Sequence, residues 1–344
     1  MRTLGPVTID PRTPVIIGAA AVAQQPEEAP DPEAAADAIA LMARALAAAA
    51  ADTQATTGAG AVQEAIDTIG VVGGLWRHRD PARLVADELG LGPVHTILTS
   101  FGGNTPIEFT HDLFERIRAG TLDVAVVVGG ECNLTRRRLK AAGREPRRRE
   151  EPDSPVGEFW GPALDMGDET DAARGGEHPR NSYAVLESAL RAQRGESQDE
   201  CRHRGAALWA GYARAAVDNP VAADRTGMTA DEIMTPTLGN RMVSWPYTKA
   251  MCANNTVDQA GALILTTEET ADRLGVPADR RVYPHLCVTS ADTGSPLARA
   301  GFPAAPGLEA GARAVADHAG GPEAIEHLEL NSCFPAGGCS TRSS

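Results

Sequence analysis

The sequence predicts an α/β fold on a mostly parallel sheet, and three observations carry that prediction. Short β-branched runs alternate with helix-length segments through the first part of the chain. This β-α-β-α rhythm builds a parallel sheet layered by helices. Leu122 to Val128 (LDVAVVV) is apolar without alternation, as a strand covered on both faces should be. The chain has 344 residues, 42% hydrophobic and 23% charged. That is the balance of a soluble globular protein of about two domains, with a core that needs no disulfide or metal staples.

Each element follows from local chemistry. Val15-Ile16-Ile17-Gly18 is a β-branched run ending in Gly, a buried strand. A helix is predicted near 31–50, with Asp31 as N-cap, Pro32 in the first helical position and Glu33 at the positive helix end. IDTIGVV (66–72) is the second strand, and Asp80-Pro81 opens a helix over 81–89 that Gly90 ends. A third strand, 95–99, runs into Gly102-Gly103, and a helix over 106–119 starts at Pro106 and stops before Gly120. Residues 135–180 are rich in Arg, Glu, Asp, Gly and Pro with little apolar periodicity, an inserted loop region. Helical patterns return at 181–194 and 197–217. GALILTT (261–267) is a buried strand followed by a helix over 268–274. VYPHLCV (282–288) is expected to begin a second sheet unit, with a helix over 308–318, a strand IEHLEL (325–330) and a further helix after Asn331.

Composition excludes several function classes. Lys+Arg is 32 against Asp+Glu 46, a net charge of −14, unsuited to general nucleic-acid binding. Aromatics are 4% of the chain, too few for a base-stacking platform. The Ala-rich segment 43–51 is too short to span a membrane, and the N-terminus lacks an apolar h-region. A cytoplasmic location with reduced thiols is expected. The six cysteines show no C-x-x-C spacing, so neither a zinc ribbon nor a redox dithiol is indicated. The eight histidines lie apart without metal-ligand spacing, and no G-x-S-x-G elbow occurs. No metal is expected.

Three segments carry candidate chemistry. Gly102-Gly103-Asn104 lies between a strand and a helix N-terminus, where backbone N–H groups can receive an anion or form half of an oxyanion hole. The alternative is a tight turn in which Gly supplies φ > 0. Asn331-Ser332-Cys333-Phe334-Pro335 closes a predicted strand, where open α/β sheets place their sites. Asn331 could hold a water or carbonyl oxygen there, while Cys333 is either a thiol for chemistry or a small buried hydrophobe. A basic run, Arg136, Arg137, Arg138, Lys140, Arg144, Arg147, Arg148 and Arg149, crowds one stretch of an acidic chain. It could hold the phosphates of a nucleotide-like ligand, or form a solvated loop balanced by Glu145, Glu150 and Glu151.

In order and spacing, these segments resemble the thiolase superfamily, in particular thiolase-like acetyl-CoA acetyltransferases related to the sterol-carrier-protein-type thiolases. The resemblance runs from PVIIGAA (14–20) through IRAGTLDVAVVVGGE (117–131), RNSYAVLESALRAQRG (180–195) and NRMVSWPYTKAMCANNTVDQAGALILTT (240–267) to LELNSCFP (328–335). It implies a thiolase-like αβαβα layered sandwich made of two similar halves, with a loop domain covering coenzyme A. On that basis 1–134 with 241–275 form the N-terminal half, 135–240 the inserted loop domain, and 276–344 a partial C-terminal half. The second half is incomplete, because the family's His-Pro and late Cys-Gly motifs do not appear before the chain stops. Whether a frameshift or a natural short variant accounts for that stop is open.

The resemblance also implies the activity, acyl transfer to or from coenzyme A by Claisen condensation or thiolysis, and so a place in lipid metabolism. The family's acyl-accepting Cys, at the N-terminus of the helix after the third strand, falls here on Gly103. Asn331 keeps the Asn of the Asn-Glu-Ala-Phe motif, with Ser332 and Cys333 in place of Glu and Ala. Asn331 and Cys333 are the catalytic candidates. Gly102, Gly103, Asn104, Asn254, Asn255 and Thr256 are the substrate-binding candidates, the last three by loose alignment with the pantetheine loop. Tyr247 and Lys249 are equally compatible with ordinary loop roles. No bound cofactor is implied: the coenzyme A thioester is substrate. The expected partners are acyl-CoA and a second copy or small companion protein. An edge near 325–330 is expected to be open to association. The competing expectation is a non-catalytic acyl-CoA binder or partner subunit. A generic Cys hydrolase would need a His beside Cys333, and His327 is six residues upstream, too far along an extended chain.

Overall fold

The computed structural model describes residues 9–146, 149–151, 155–161, 167–176, 178–291, 293–295, 298–299 and 305–340. The chain divides into two compact units, 1–164 with 256–287, and 165–255 with 288–344. The first unit opens with β1 (Pro14–Ala23), α1 (Ala38–Asp52), α2 (Ala59–Glu64), β2 (Thr68–Val71), α3 (Pro81–Glu88), β3 (His95–Thr99), α4 (Thr105–Ala119), β4 (Ala125–Cys132), α5 (Asn133–Ala141) and β5 (Glu158–Trp160). The second unit begins with α6 (Glu169–Ala173), α7 (Pro179–Arg194), α8 (Gln198–Ala216), α9 (Ala230–Met234), β6 (Met242–Ser244) and β7 (Tyr247–Thr248). The chain then returns to the first unit with β8 (Asp258–Thr267) and α10 (Glu268–Leu274). It ends in the second with α11 (Pro306–Ala319) and α12 (Pro335–Ser340).

One six-stranded sheet, in the order β1-β8-β4-β2-β3-β5, organises the first unit. Strands β4, β2, β3 and β5 run parallel, whereas β8 is antiparallel to both β1 and β4. The expected mostly parallel sheet is therefore mixed. Alternate residues of β4 serve two cores: Val126 and Val128 pack with α1 and α3, while Ala125 and Val127 pack with α4. This double covering is why the strand reads as a continuous apolar run. The Ala-rich sequence of α1 lets it lie close to the sheet; a Cβ at Gly18 would come 2.2 Å from the Ala49 carbonyl oxygen. On the other face Gly70 makes room for Phe109, whose ring would meet a Cβ there at 2.2 Å.

Several boundaries moved. Helix α1 begins at Ala38 under Asp37, whose carboxylate accepts from the Ala40 amide. Asp31 instead accepts from the Glu33 amide in a local turn. The region expected to be loop contributes β5, which pairs with β3 and joins the sheet. Neither VYPHLCV nor IEHLEL forms a strand. Val282 makes one isolated bridge to Ile16, and Pro284 lacks the amide a ladder needs. Among the described residues, 325–330 has no strand to pair with, and the only other sheet is the two-stranded ribbon β6–β7. Strand propensity without a neighbouring strand does not make a sheet. The helix expected after Asn331 is present as α12.

Candidate functional site

In the first unit, the parallel strands end together at Val71–Gly74, Thr99–Asn104, Gly129–Cys132 and Trp160–Gly161. That edge is where open α/β sheets hold ligands. The loop after β2 is pinned between its neighbours. The Gly73 amide donates to Thr99 Oγ1 at 3.1 Å, the Leu75 amide to Glu131 Oε1 at 2.5 Å, and Trp76 Nε1 to the Gly130 carbonyl at 2.9 Å. Burial raises the pKa of Glu131, opposed by the Leu75 amide and Arg136.

Gly102 and Gly103 follow β3, and neither adopts a left-handed φ. The turn therefore does not need glycine for its backbone. A Cβ at Gly103 would meet nothing within 4 Å, so the position where the resemblance places a thiol has room for one. Asn104 is the N-cap of α4, but its side chain caps no backbone amide and instead lies 3.4 Å from Glu108 Oε1. Thr256 also belongs to the first unit.

The basic run serves structure. Arg138 donates to the carbonyls of Ala29 and Pro30, and Arg144 pairs with Asp31 and Glu33. Arg149 binds Asp37 and Glu88 at 2.6 and 2.7 Å. These guanidinium groups are spent on carboxylates and carbonyls, which answers the phosphate-site alternative for them. Arg147 and Arg148 lie outside the described residues.

The second unit holds Asn254, Asn255, Asn331 and Cys333. The Ala253 amide donates to the Cys333 carbonyl at 2.9 Å, which lays the 331–335 motif along the 252–255 loop. Phe334 anchors that contact. It is buried, stacks on Tyr183 with centroids 4.5 Å apart, and lies 5.3 Å from the Tyr247 ring. Cys333 and Asn331 remain exposed.

Beside this contact is a cavity of about 570 Å³, a size that suits a small ligand. One turn-spaced face of α8, carrying Trp209, Tyr212, Ala213 and Ala216, forms a wall, with Met228 and Ile233 extending it. Lys249, Cys252 and Asn254 line the loop side, with Asp224 also at the lining. The floor is held by Asn240, whose Nδ2 donates to the carbonyls of Glu232, Ile233 and Thr235 while its Oδ1 accepts from the Ala250 amide at 2.8 Å. Thr248 Oγ1 donates to the Ile233 carbonyl at 2.6 Å. A mostly apolar slot with an ammonium and an amide at one side suits a long, amide-bearing, anionic chain. Burial pushes the Cys252 thiol up to about 11, against the pull of Arg180 and Arg241.

The cavity thus joins Asn254 to residues that sequence reading left without a role. Lys249 lines it, whereas Tyr247 is a core residue whose hydroxyl donates to buried Glu187 at 2.8 Å. The i, i+3, i+4, i+7 spacing of Trp209, Tyr212, Ala213 and Ala216 is visible in the sequence, but it resembles any helix packing face. Among the described residues no group of His, Cys, Asp or Glu is arranged to hold a metal ion, and no helix is long and apolar enough to cross a membrane.

No protein-family model matches the chain, and no curated protein does. Solved structures do. The fold is similar to a monomeric SCP2-thiolase-like protein type 1 (STLP1) from Mycobacterium smegmatis, with TM-score 0.73 and 27% identity over 96% of this chain and 63% of that one. The chain therefore spans less than two thirds of that protein. It is also similar in fold to an Ltp2-ChsH2(DUF35) aldolase, with TM-score 0.58 and 15% identity over 90% of this chain and 70% of that one. An acetyl-CoA acetyltransferase from Syntrophomonas wolfei gives TM-score 0.57 and 15% identity over 95% and 80% of the two chains.

Proposed function

We propose that this chain, whose fold is that of the thiolase superfamily, binds an acyl-CoA thioester and acts in acyl transfer. One observation carries the reading. The Cys333 segment is hydrogen-bonded to Ala253, between the cavity-lining residues Cys252 and Asn254. A thioester whose pantetheine-like chain fills the slot would present its carbonyl near an exposed thiol. In the transfer step the Cys333 thiolate would attack the thioester carbon. The C–S bond to coenzyme A breaks, the coenzyme A sulfur leaves as thiolate and takes up a proton, and the acyl group rests on Cys333. Lys249 would receive a negative group of the ligand, and the apolar α8 wall its hydrocarbon. Asn331, Asn255, Thr256 and the Gly102–Asn104 turn stay with this reading as substrate contacts implied by the resemblance.

A second reading, a non-catalytic acyl-CoA binder or companion subunit, is favoured by Gly103, which offers open space and no thiol at the usual acceptor position. One experiment separates the two. Purified protein is titrated with acetyl-CoA and octanoyl-CoA by calorimetry, and released coenzyme A is followed by chromatography. Acyl transfer predicts saturable heat, coenzyme A release, and an acyl mass increment lost in Cys333→Ala. Heat without release selects the binder. Neither heat nor release overturns both. Lys249→Glu should weaken binding on the order of tenfold if the slot is the site.

A further inference from the structure

The end of the second unit presents structure that nothing in the described chain uses. Helix α11 spans fourteen residues, none of them buried. One face is held: a Cβ at Gly307 would meet Ser290 Oγ at 2.6 Å, and one at Gly311 would meet Val288 at 3.6 Å. That contact fixes which way the opposite face points. The opposite face carries Leu308, Ala312, Val315 and Ala319, spaced as one helical stripe and all exposed. Leu308 is 48% and Val315 40% exposed. The run that follows, Ile325 to Leu330, has strand-type sequence, and Leu328 is 74% exposed. No backbone hydrogen bond joins 326–330 to any described residue. Solvent satisfies those groups here, yet such an extended row is a template for strand addition.

We propose that α11 and the 325–330 run form a docking surface for a separate polypeptide that donates β-strands. One donated strand pairs with 325–330 and satisfies its amides and carbonyls. The apolar face of the donated sheet covers the Leu308–Ala312–Val315–Ala319 stripe. Two observations select this occupant. STLP1 shares the fold over 96% of this chain but extends well beyond the shared part, so a fold of this kind includes further structure that these residues do not supply. A second copy is disfavoured by charge. Antiparallel pairing of the whole 325–330 run with itself sets Glu326 opposite Glu329 at both ends. Like charges directly opposite one another destabilise a ladder, and the chain carries a net charge of −14. The donor strand therefore has neutral or basic residues opposite 326 and 329. This inference rests on the fold and not on the acyl-CoA reading.

The test co-expresses the chain with the part of the M. smegmatis protein that the chain does not span. As a control, the same probe must join the matching part of its own protein. A 1:1 complex is expected by light scattering. In that complex the 326–330 amides should exchange at least 100-fold more slowly than in the chain alone. Leu328→Lys combined with Val315→Lys should weaken the complex at least tenfold and leave the circular dichroism of the chain unchanged, since both side chains are exposed. The proposal is overturned if a competent probe gives no complex, if the complex leaves 326–330 exchange unchanged, or if the double variant binds equally well. Protection of 326–330 by self-association of the chain alone also overturns it, in favour of a second copy. Acyl-CoA binding is read separately by calorimetry, so either reading can fail without the other.

Discussion

Strand β5 is three residues long and is the edge of the sheet, so what holds it there should be measurable. Its first residue, Glu158, receives both terminal nitrogens of Arg116 at 2.9 and 2.7 Å, and His95 Nε2 lies 3.1 Å from its Oε2. Arg116 is itself oriented by Asp112 at 2.7 Å on the same helix. The Arg116 hydrogen bonds, against a desolvation cost and with help from His95, lower the Glu158 pKa from 4.5 to about 2. That drop corresponds to about 3 kcal/mol. The pair keeps some solvent contact, at 27% and 29% side-chain exposure, so screening reduces the contribution to about 1–2 kcal/mol. A carboxylate whose folded pKa is lowered contributes fully above its unfolded value, and the contribution disappears as pH falls through the folded value. Glu158→Gln should therefore destabilise by about 1–2 kcal/mol at pH 7. The difference from wild type should close as pH drops from about 4.5 towards 2. Urea unfolding of the two proteins between pH 7 and pH 2.5 measures this. A gap that is absent at pH 7, or that stays constant down to pH 2.5, would refute the reasoning.

Further expectations concern the core, the empty acceptor position and the thiols. Glu187 is 1% exposed and binds Arg204 at 2.8 Å. Arg204→Met should cost about 3–5 kcal/mol by leaving that carboxylate buried and weakly paired, and Tyr247→Phe about 1 kcal/mol; equal costs in urea titrations would contradict this hierarchy. Gly18→Ala should cost about 3 kcal/mol or more, because its Cβ would press on the Ala49 carbonyl at 2.2 Å. Gly103→Cys, with nothing within 4 Å of its Cβ, should change stability by no more than about 0.5 kcal/mol; melting curves compare the two. Burial pushes Cys132 and Cys252 up to about 11 and Cys201 up to about 12, while Cys333 is exposed. Iodoacetamide at pH 8 should therefore alkylate Cys333 at least tenfold faster than those three, by peptide mass spectrometry; faster labelling of Cys201 would show that the second unit opens.

Much of the first unit is legible in the sequence because its signals are local. Asp80-Pro81 caps and starts α3 as expected, Gly120 ends α4 in the left-handed conformation, and α10 occupies 268–274 as the pattern indicates. The motif order carries the fold assignment, since PVIIGAA, LDVAVVV and GALILTT become β1, β4 and β8. The antiparallel insertion of β8 between β1 and β4 is not legible, because strand direction depends on what surrounds a strand and not on its composition. Nor is β5, whose three residues lie in a polar stretch and join the sheet through Arg116 and β3.

The candidate site divides along the same line. The residue types of Asn254 and Cys333 can be read from a motif, but their proximity arises from one backbone hydrogen bond between segments some eighty residues apart. The cavity wall uses a helix face that looks like any other packing face until the loop at 249–254 closes over it. Lys249 and Tyr247, two residues apart, are alike from sequence, and only burial beside Glu187 makes one core and the other lining. By itself the sequence determined the elements whose caps and periodicity are local, and the loss of a thiol at position 103. The tertiary structure decided which strand-forming runs became strands. GALILTT found two neighbours and pairs along its length, whereas IEHLEL found none and stays unpaired. A strand is stable only through the hydrogen bonds and apolar contacts that a partner supplies.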